Sequence, residues 1–355
     1  MIWILIFAIP FLVSVALTPL VRLFAIKIKA VDQPNERKVH QTPMPRLGGL
    51  AIFIAVSVAL RMFTDLTADP LLPIFLGSLV IILLGIVDDI RPLSARIKLL
   101  FQVIAAIIVV VGGVNIEFIN IPLTDKVLNL GNFSYIFTIL WIVGITNALN
   151  LIDGLDGLAT GVASISLATI FVMSLIMGKM TIMIITLVLL AAAVGFLIYN
   201  FYPAKIFLGD SGSLYLGYML ATISILGFKN IAVVSFLFPI VILAVPIFDT
   251  IFAIIRRFRN GEAITVADRG HLHHCLLAMG LSHRQTVLVI YGISALFGIA
   301  AIFISQLSLW SGLLIIAVLL IITQFGIEWT GVIGDTRKPL TNLFLIIRNN
   351  FSRKE

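Results

Sequence analysis

Charged residues and cysteine are scarce in this chain of 355 residues. Only 12% of the residues are charged and 60% are hydrophobic, whereas soluble proteins average roughly 25% charged and 45–50% apolar residues. These proportions exclude an ordinary soluble domain and a disordered chain. The single cysteine, Cys275, has no second thiol in the chain to pair with, which excludes a scaffold of internal disulfides.

Long apolar runs take the place of the missing charge. A helix needs roughly 20 mostly apolar residues to span a bilayer, and eleven segments approach this length. The sequence therefore predicts an all-α polytopic membrane protein with 10–11 transmembrane helices. The candidate spans are 2–26, 47–63, 70–87, 98–113, 133–149, 157–177, 181–200, 211–228, 231–255, 286–306 and 310–330.

Basic residues are distributed unevenly between the two sets of alternate loops. One set holds 20 of the 24 lysines and arginines, and such loops face the cytoplasm. The N-terminus is then outside and the C-terminus inside. In a chain that lies in the lipid bilayer, the net charge of +7 sets topology or meets anionic lipid, and we expect no nucleic-acid partner.

Two further segments have patterns of their own. Residues 114–132 alternate apolar and polar side chains around a turn, which predicts a short β-hairpin on the outer surface. The tail 335–355 mixes apolar and basic residues and predicts an amphipathic helix at the cytoplasmic surface. We therefore divide the chain into one integral-membrane catalytic domain, 1–334, and this basic tail.

Acidic residues are expensive in a membrane protein, so their positions are informative. Asp88 and Asp89 end an apolar run, and adjacent carboxylates repel each other unless a cation or a proton lies between them. Arg91, Arg96 and Lys98 follow. The pair is either a solvated helix end or, with these cations, a site for a metal ion and a phosphate.

The segment NALNLIDGLDGLATG carries a polar side chain at every third position. A spacing of three residues keeps the first few of these carboxylates and amides roughly on one helical face. There they can bind a base, a ribose or a metal ion. Gly154 and Gly157 allow close backbone approach. The alternative is a capped turn between two helices. The polar residues are Asn147, Asn150, Asp153 and Asp156.

The segment KIFLGDSGSLYLG places Asp210 and Ser211 immediately before an apolar run. A helix that begins there offers free N–H groups to an anion or to a capping side chain. The string GDSG also surrounds serine-protease nucleophiles, but a position at a membrane boundary argues against that interpretation.

Two basic loops lie on the same side as these acids. Their histidines and arginines suit phosphate binding, although helix capping or a zinc site would also use histidines near Cys275. Carboxylates, cations and glycine turns on one face together suit Mg²⁺-assisted chemistry on a diphosphate. The first loop also carries Asp32, Arg46 and the pair Gly48–Gly49. The candidate residues are Arg37, Lys38 and His40 in the first loop, and Arg256, Arg269, His271, His273 and His274 in the second.

Five motifs occur in order between residues 32 and 284: VDDI with Lys98 downstream, NALNLIDGLDGL, FLGDSGS, PIFDT followed by IIRRFRNG, and DRGHLHH. On these motifs the chain resembles the polyprenyl-phosphate N-acetylhexosamine-1-phosphate transferases. The resemblance implies transfer of a sugar-1-phosphate from a nucleotide sugar to a lipid phosphate, with release of a nucleoside monophosphate. It also implies a multi-pass protein of the bacterial plasma membrane with a cytoplasmic active site, and a homodimer.

The resemblance also implies roles for particular residues. Asp88 and Asp89 match carboxylates beside the metal ion and the attacking lipid phosphate, and Asp210 matches a Mg²⁺ ligand; Mn²⁺ is the expected substitute. The other assignments are Lys98 beside the site, Asn150, Asp153 and Asp156 in the nucleotide pocket, Phe207 stacked on uracil, and His271, His273 and His274 at the diphosphate or sugar phosphate. Direct attack by the lipid phosphate and a covalent aspartyl intermediate both remain open, with direct attack favoured.

The motif HLHH and the stretch RRFRNG resemble the branch that uses UDP-GlcNAc and undecaprenyl phosphate, most closely the initiators of the teichoic-acid linkage unit. The alternative within the family is phospho-N-acetylmuramoyl-pentapeptide transferase. A transporter is the alternative from another class, but it would place charges near the bilayer midplane. Only Asp249 lies well inside a predicted span.

Overall fold

The computed structural model of this chain describes residues 1–33, 43–67, 70–120, 127–228, 237–261 and 270–330. Within these ranges the chain forms thirteen α-helices and four short strands. The helices are α1 (Ile2–Lys27), α2 (Gly48–Phe63), α3 (Leu71–Ile90), α4 (Ala95–Val111), α5 (Phe133–Leu151), α6 (Leu158–Ile176), α7 (Met180–Asn200), α8 (Gly209–Phe228), α9 (Leu237–Ile242), α10 (Ala244–Asn260), α11 (Leu272–Ala278), α12 (His283–Ile304) and α13 (Leu309–Thr330).

Seven helices in the described ranges are long and apolar enough to cross a membrane: α1, α3, α5, α6, α7, α12 and α13. The prediction of an all-α polytopic membrane protein is confirmed. The other four predicted spans fall on α2, α4, α8 and the pair α9–α10. Because α2 and α4 have only 16 and 17 residues, the count of 10–11 spans stays a prediction.

The ninth predicted span is not one continuous helix. Leu243 separates α9 from α10. Pro246 has no N–H to donate to the carbonyl group of Ile242, which interrupts the hydrogen-bond ladder at this point. Helix α10 then continues to Asn260, so the basic stretch that begins at Arg256 is helical where we expected a loop.

Helix α8 lies at the centre of the bundle, against α2, α3, α5 and α6. Tyr215 and Tyr218 are fully buried in it, and the Tyr218 hydroxyl donates to the carbonyl oxygen of Ile74 in α3 at 3.0 Å. A Cβ atom at Gly77 would lie 2.1 Å from that hydroxyl, so the glycine permits the close packing of α3 on α8. This packing brings the last turn of α3 to the first turn of α8.

The four strands form two small antiparallel sheets. Strands β3 (Phe118–Asn120) and β4 (Val127–Asn129) pair as the predicted hairpin, which is confirmed as a pairing. Strands β1 (Val31–Asp32) and β2 (Met44–Pro45) form a second pair that the sequence did not predict. Arg46 follows β2 directly, so the pairing of β2 with β1 helps to fix the position of Arg46.

The predicted tail, 335–355, lies outside the described residues, and the boundary at residue 334 stays a prediction.

Candidate active site

The candidate site lies where α3 ends, α4 begins and α8 begins. Each of these helix ends supplies one of the acidic or basic residues singled out in the sequence. Asp88 and Asp89 occupy the last turn of α3, Lys98 the first turn of α4, and Asp210 the first turn of α8. The close packing of α3 on α8 brings these separate motifs together.

Asp89 caps the N-terminus of α8. Its two carboxylate oxygens accept hydrogen bonds from the backbone N–H groups of Asp210 at 2.8 Å and Ser211 at 3.1 Å, and its side chain is 0% exposed. A Cβ atom at Gly85 would lie 2.3 Å from the Ser211 Cα, so this approach requires glycine. Both oxygens of Asp89 thus satisfy α8 N–H groups that have no partner within the helix.

Asp88 points to a different element. One of its oxygens accepts from the backbone N–H of Leu93 at 2.7 Å, and the other lies 2.8 Å from the Lys98 ammonium. The same ammonium contacts Asp210. Lys98 therefore bridges two carboxylates whose backbones are more than a hundred residues apart in sequence.

Arg46, which belongs to the first basic loop of the sequence, is a second cation at the site. Its guanidinium lies 3.9 Å from Asp89 and 3.6 Å from Asp32 of β1. The glycine pair that follows Arg46 permits this position, because a Cβ atom at Gly49 would lie 2.2 Å from the Gly212 backbone nitrogen. The chain after Arg46 must therefore pass directly against the start of α8.

These carboxylates provide oxygen donors suited to Mg²⁺, which commonly takes one or two protein carboxylates and completes its shell with water and substrate phosphates. Asp88 and Asp210 meet around one ammonium, so they fit this requirement. Asp89 has both oxygens on backbone N–H groups. Among the described residues, no three His, Cys, Asp or Glu side chains group as a metal site.

The loop between α5 and α6 lies beside the start of α8. The Asn150 amide donates to the Ser213 hydroxyl at 2.8 Å, and Asn147 exchanges hydrogen bonds with Gln102 of α4 at 2.6 and 3.2 Å. Loss of solvation, together with the negative charge of Asp210, raises the pKa of Asp153 to about 8. Asp153 is therefore mostly protonated at neutral pH.

Asp156 ties three segments together. Its carboxylate accepts from the backbone N–H of Ala204 at 2.9 Å, and its own N–H donates to the Nε2 atom of His283 at 3.0 Å. His283 is the first residue of α12 and was missed by the sequence analysis, because no local pattern joins it to a loop 127 residues away.

Phe207 lies beside strand β2. Its N–H donates to the Pro45 carbonyl oxygen at 2.8 Å, and its carbonyl oxygen accepts from Gly48 at 3.1 Å. Its side chain is partly exposed. The backbone of Phe207 is thus held between β2 and the start of α2, next to Arg46.

The histidine motif forms the start of α11, packed onto the loop between α5 and α6. His271 Nδ1 lies 2.7 Å from the Asp249 carboxylate, whose other oxygen accepts from the backbone N–H of Leu272 at 2.8 Å. Asp249, which the sequence placed inside a span, therefore orients the first histidine and caps α11. The rings of His271 and His273 lie nearly parallel, with their centroids 5.9 Å apart.

His273 is the histidine that touches the loop. A Cβ atom at Gly154 would lie 2.5 Å from its Nε2 atom, and this atom has no hydrogen-bond partner among the described residues. Burial, reinforced by the neighbouring His274, lowers the pKa of His273 to about 3. His273 is therefore neutral at pH 7 and offers a hydrogen bond rather than a positive charge.

The remaining candidate residues are placed less fully. Arg256, near the end of α10, packs over Gly270, where a Cβ atom would lie 2.3 Å from the arginine Nε. The His274 ring centroid lies 4.2 Å from that of His273. Arg37, Lys38, His40 and Arg269 lie outside the described residues.

The site lies within a region that matches known proteins. Residues 71–228 match the model of glycosyl transferase family 4. The chain is 48% identical over 97% of its length, and 97% of the relative's, to the "Probable undecaprenyl-phosphate N-acetylglucosaminyl 1-phosphate transferase" of Bacillus subtilis. The undecaprenyl-phosphate alpha-N-acetylglucosaminyl 1-phosphate transferase of Thermotoga maritima is 31% identical, over 81% of this chain and 86% of its own.

A relative from the other branch is also similar. The phospho-N-acetylmuramoyl-pentapeptide-transferase of Staphylococcus aureus is 30% identical, over 77% of this chain and 88% of its own. The resemblance drawn from the five motifs is confirmed at the level of the family. The chain belongs to glycosyl transferase family 4.

Proposed function

We propose that the chain transfers GlcNAc-1-phosphate from UDP-GlcNAc to undecaprenyl phosphate, which yields undecaprenyl-diphospho-GlcNAc and UMP. The observation that carries this proposal is the 48% identity to the B. subtilis relative across 97% of both chains. We place the reaction at the first membrane step of teichoic-acid or related surface-polysaccharide synthesis. The excess of lysine and arginine in one set of loops supports a multi-pass protein of the bacterial plasma membrane with its site on the cytoplasmic face.

In the proposed reaction, an oxygen of the lipid phosphate attacks the β-phosphorus of UDP-GlcNAc directly. A new P–O bond forms there, and the bond between the β-phosphorus and the bridging oxygen breaks, so that UMP leaves. We assign the proton acceptor to Asp88, because it shares the Lys98 ammonium with Asp210, whereas Asp89 holds the N-terminus of α8. Lys98 and Arg46 supply positive charge beside the reacting diphosphate.

Asp88 and Asp210 would hold Mg²⁺, with Mn²⁺ as the expected substitute. When bound, the ion neutralises charge on the diphosphate and stabilises UMP as a leaving group. Lys98 lies between the two carboxylates and keeps them from repelling each other before substrate arrives.

The donor nucleotide would lie along the α5–α6 loop. Asn150 and the protonated Asp153 provide hydrogen bonds, Asp156 shapes the loop, and Phe207 provides an aromatic face for uracil. His273 contacts this loop, His271 lies beside His273, and we assign to both hydrogen bonds to the diphosphate or the sugar phosphate. We also assign phosphate binding to His274, Arg256, Arg269, Arg37, Lys38 and His40.

The test is a transfer assay with the full chain in detergent. The protein is mixed with undecaprenyl phosphate, Mg²⁺ and radiolabelled UDP-GlcNAc, and label in lipid and UMP release are followed. Asp210→Asn is the test variant. Asp65→Asn is its matched control, because Asp65 is an exposed carboxylate that bonds only to Thr67 among the described residues.

We expect metal-dependent labelling that Asp210→Asn abolishes and Asp65→Asn retains. Labelling with UDP-MurNAc-pentapeptide in place of UDP-GlcNAc would overturn the donor assignment and identify the pentapeptide branch. Absence of labelling with either donor would overturn the transferase proposal. The homodimer stays a prediction, which light scattering of the detergent complex tests.

A further inference from the structure

The first residue of α12 contacts the candidate donor site. His283, the first residue of α12, accepts a hydrogen bond at Nε2 from the backbone N–H of Asp156 at 3.0 Å. Backbone N–H groups in a tight loop have few alternative partners, and a buried unpaired one is costly. The Tyr291 hydroxyl of α12 donates to the carbonyl oxygen of Gly157, at the other end of the loop, at 2.5 Å. The His283 contact therefore fixes the position of Asp156, and Tyr291 fixes the start of α6.

The hydrogen bond also fixes the form of the imidazole. Nε2 must present a lone pair to accept from an N–H group, so the ring is neutral and its proton lies on Nδ1. The ring is held in place by Tyr202, with centroids 4.6 Å apart and planes inclined by 30°. A positively charged or rotated ring would not serve this contact.

The same loop residue continues the connection to the start of α8. The Asp156 carboxylate accepts from Ala204 at 2.9 Å, and Ala204 lies on the short segment that leads to Phe207 and Asp210. Asp156 thus binds α12 through its backbone N–H and the α7–α8 segment through its side chain. Displacement of the loop would move Asp153 relative to Phe207.

We propose that His283 is a positioning residue for the nucleotide-sugar donor. By holding the Asp156 N–H, it keeps Asp153 and Gly154 in a fixed position relative to the α7–α8 segment that carries Phe207. This inference rests on the proposed function, because it takes the α5–α6 loop as the donor site. Its expected signature is weaker donor binding with little change in the affinity for the lipid acceptor.

Three substitutions at His283 separate this role from general stability. His283→Ala removes the acceptor. His283→Gln can place its amide oxygen near the former Nε2 position, whereas His283→Asn has a shorter side chain that reaches only the Nδ1 position. The matched control is Ser282→Ala, which removes the adjacent capping box of α12 and leaves the Asp156 contact intact.

The expected result is a rise of about tenfold in the KM for UDP-GlcNAc in His283→Ala and His283→Asn, as for the loss of one partly buried hydrogen bond. His283→Gln should recover most of this loss, and the KM for undecaprenyl phosphate should stay within about twofold in all variants. An unchanged donor KM in His283→Ala, or an equal rise in Ser282→Ala, would overturn the proposal.

A measurement without substrate distinguishes a failure here from a failure of the proposed function. Hydrogen–deuterium exchange of a peptide that covers residues 152–157 reports directly on the loop. We expect faster exchange in His283→Ala than in the wild-type protein, and near-native exchange in His283→Gln. If the wild-type protein transferred no GlcNAc-1-phosphate but this exchange pattern held, the transferase would be wrong and the positioning contact right. Identical exchange in all variants would overturn the contact itself.

Discussion

Asp88 and Asp89 are adjacent in sequence, but we predict that their substitution by alanine has different effects. Asp89→Ala should mainly lower the stability of the fold, and Asp88→Ala should mainly lower the rate of the reaction. Asp89→Ala removes two hydrogen bonds of 2.8 and 3.1 Å from a side chain that is 0% exposed. Hydrogen bonds to a charged group contribute about 1.5–3 kcal/mol each, and loss of a helix cap costs about 0.5–2 kcal/mol. A destabilisation of about 3 kcal/mol is therefore a conservative expectation.

The effect of Asp88→Ala on stability is smaller. It loses one backbone hydrogen bond and one contact with Lys98, and the Lys98 ammonium keeps its contact with Asp210. We expect a cost of about 1.5 kcal/mol, because one hydrogen bond to a carboxylate is lost here and two are lost in Asp89→Ala. Asp88→Ala should lower the rate of the chemical step more than Asp89→Ala does, because Asp88 is the proposed proton acceptor.

Thermal melting followed by tryptophan fluorescence in detergent measures the difference. An unfolding entropy of about 2.1 cal/mol/K per residue gives about 1.3 °C for each kcal/mol in a chain of 355 residues. Asp89→Ala should therefore lower the Tm by roughly 4 °C and Asp88→Ala by roughly 2 °C. The initial rate is measured at a temperature where both variants are folded, over a range of Mg²⁺ concentrations. A wild-type Tm in Asp89→Ala, together with a greatly increased Mg²⁺ requirement, would show that Asp89 is a metal ligand and refute this reasoning.

Three further predictions follow from the same contacts. Gly49→Ala should lower the Tm and the activity, because its Cβ would lie 2.2 Å from the Gly212 nitrogen and overpacking costs about 1–3 kcal/mol; Gly144→Ala, with nothing within 4 Å of its Cβ, should leave both unchanged. The donor KM should rise above a pH of about 8 as Asp153 ionises beside an anionic donor, and this rise should be absent from the pH profile of Asp153→Asn. Asp249→Asn should lower kcat/KM at least tenfold, because His271 loses its carboxylate partner. Asp249→Glu keeps a carboxylate and should retain more activity than Asp249→Asn. Equal activity of Asp249→Asn and the wild-type protein would contradict this prediction.

The helices could be predicted because apolar composition is a local signal that extends over a whole span. Within the described residues the eleven predicted segments fall on helices, and residues 118–120 pair with 127–129 as expected. The break at Leu243 was missed because an apolar run looks the same whether its hydrogen-bond ladder is continuous or interrupted. Pro246 was the local signal that could have identified it.

The site was predictable as a set of residues but not as a set of roles. Asp88 and Asp89 are adjacent, and neighbouring side chains on a helix point about 100° apart, so one reaches α4 while the other reaches α8. Nothing in the string VDDI reveals this division. Contacts such as Arg46 with Asp89 and His283 with Asp156 depend on how distant segments pack, and neither residue belongs to one of the five motifs.

The division of roles has a consequence for how the diphosphate is held. The N-terminus of α8 had two interpretations from sequence, an anion site or a capped helix end, and Asp89 resolves it as capped. A helix N-terminus that already holds a carboxylate has its N–H groups and its dipole compensated, so it cannot also bind a phosphate strongly. The positive charge for the substrate must then come from side chains, and Lys98 and Arg46 are the cations that contact these acids. On this argument Lys98→Met should weaken donor binding even where Mg²⁺ is saturating, because no backbone site on α8 remains to replace the lost charge.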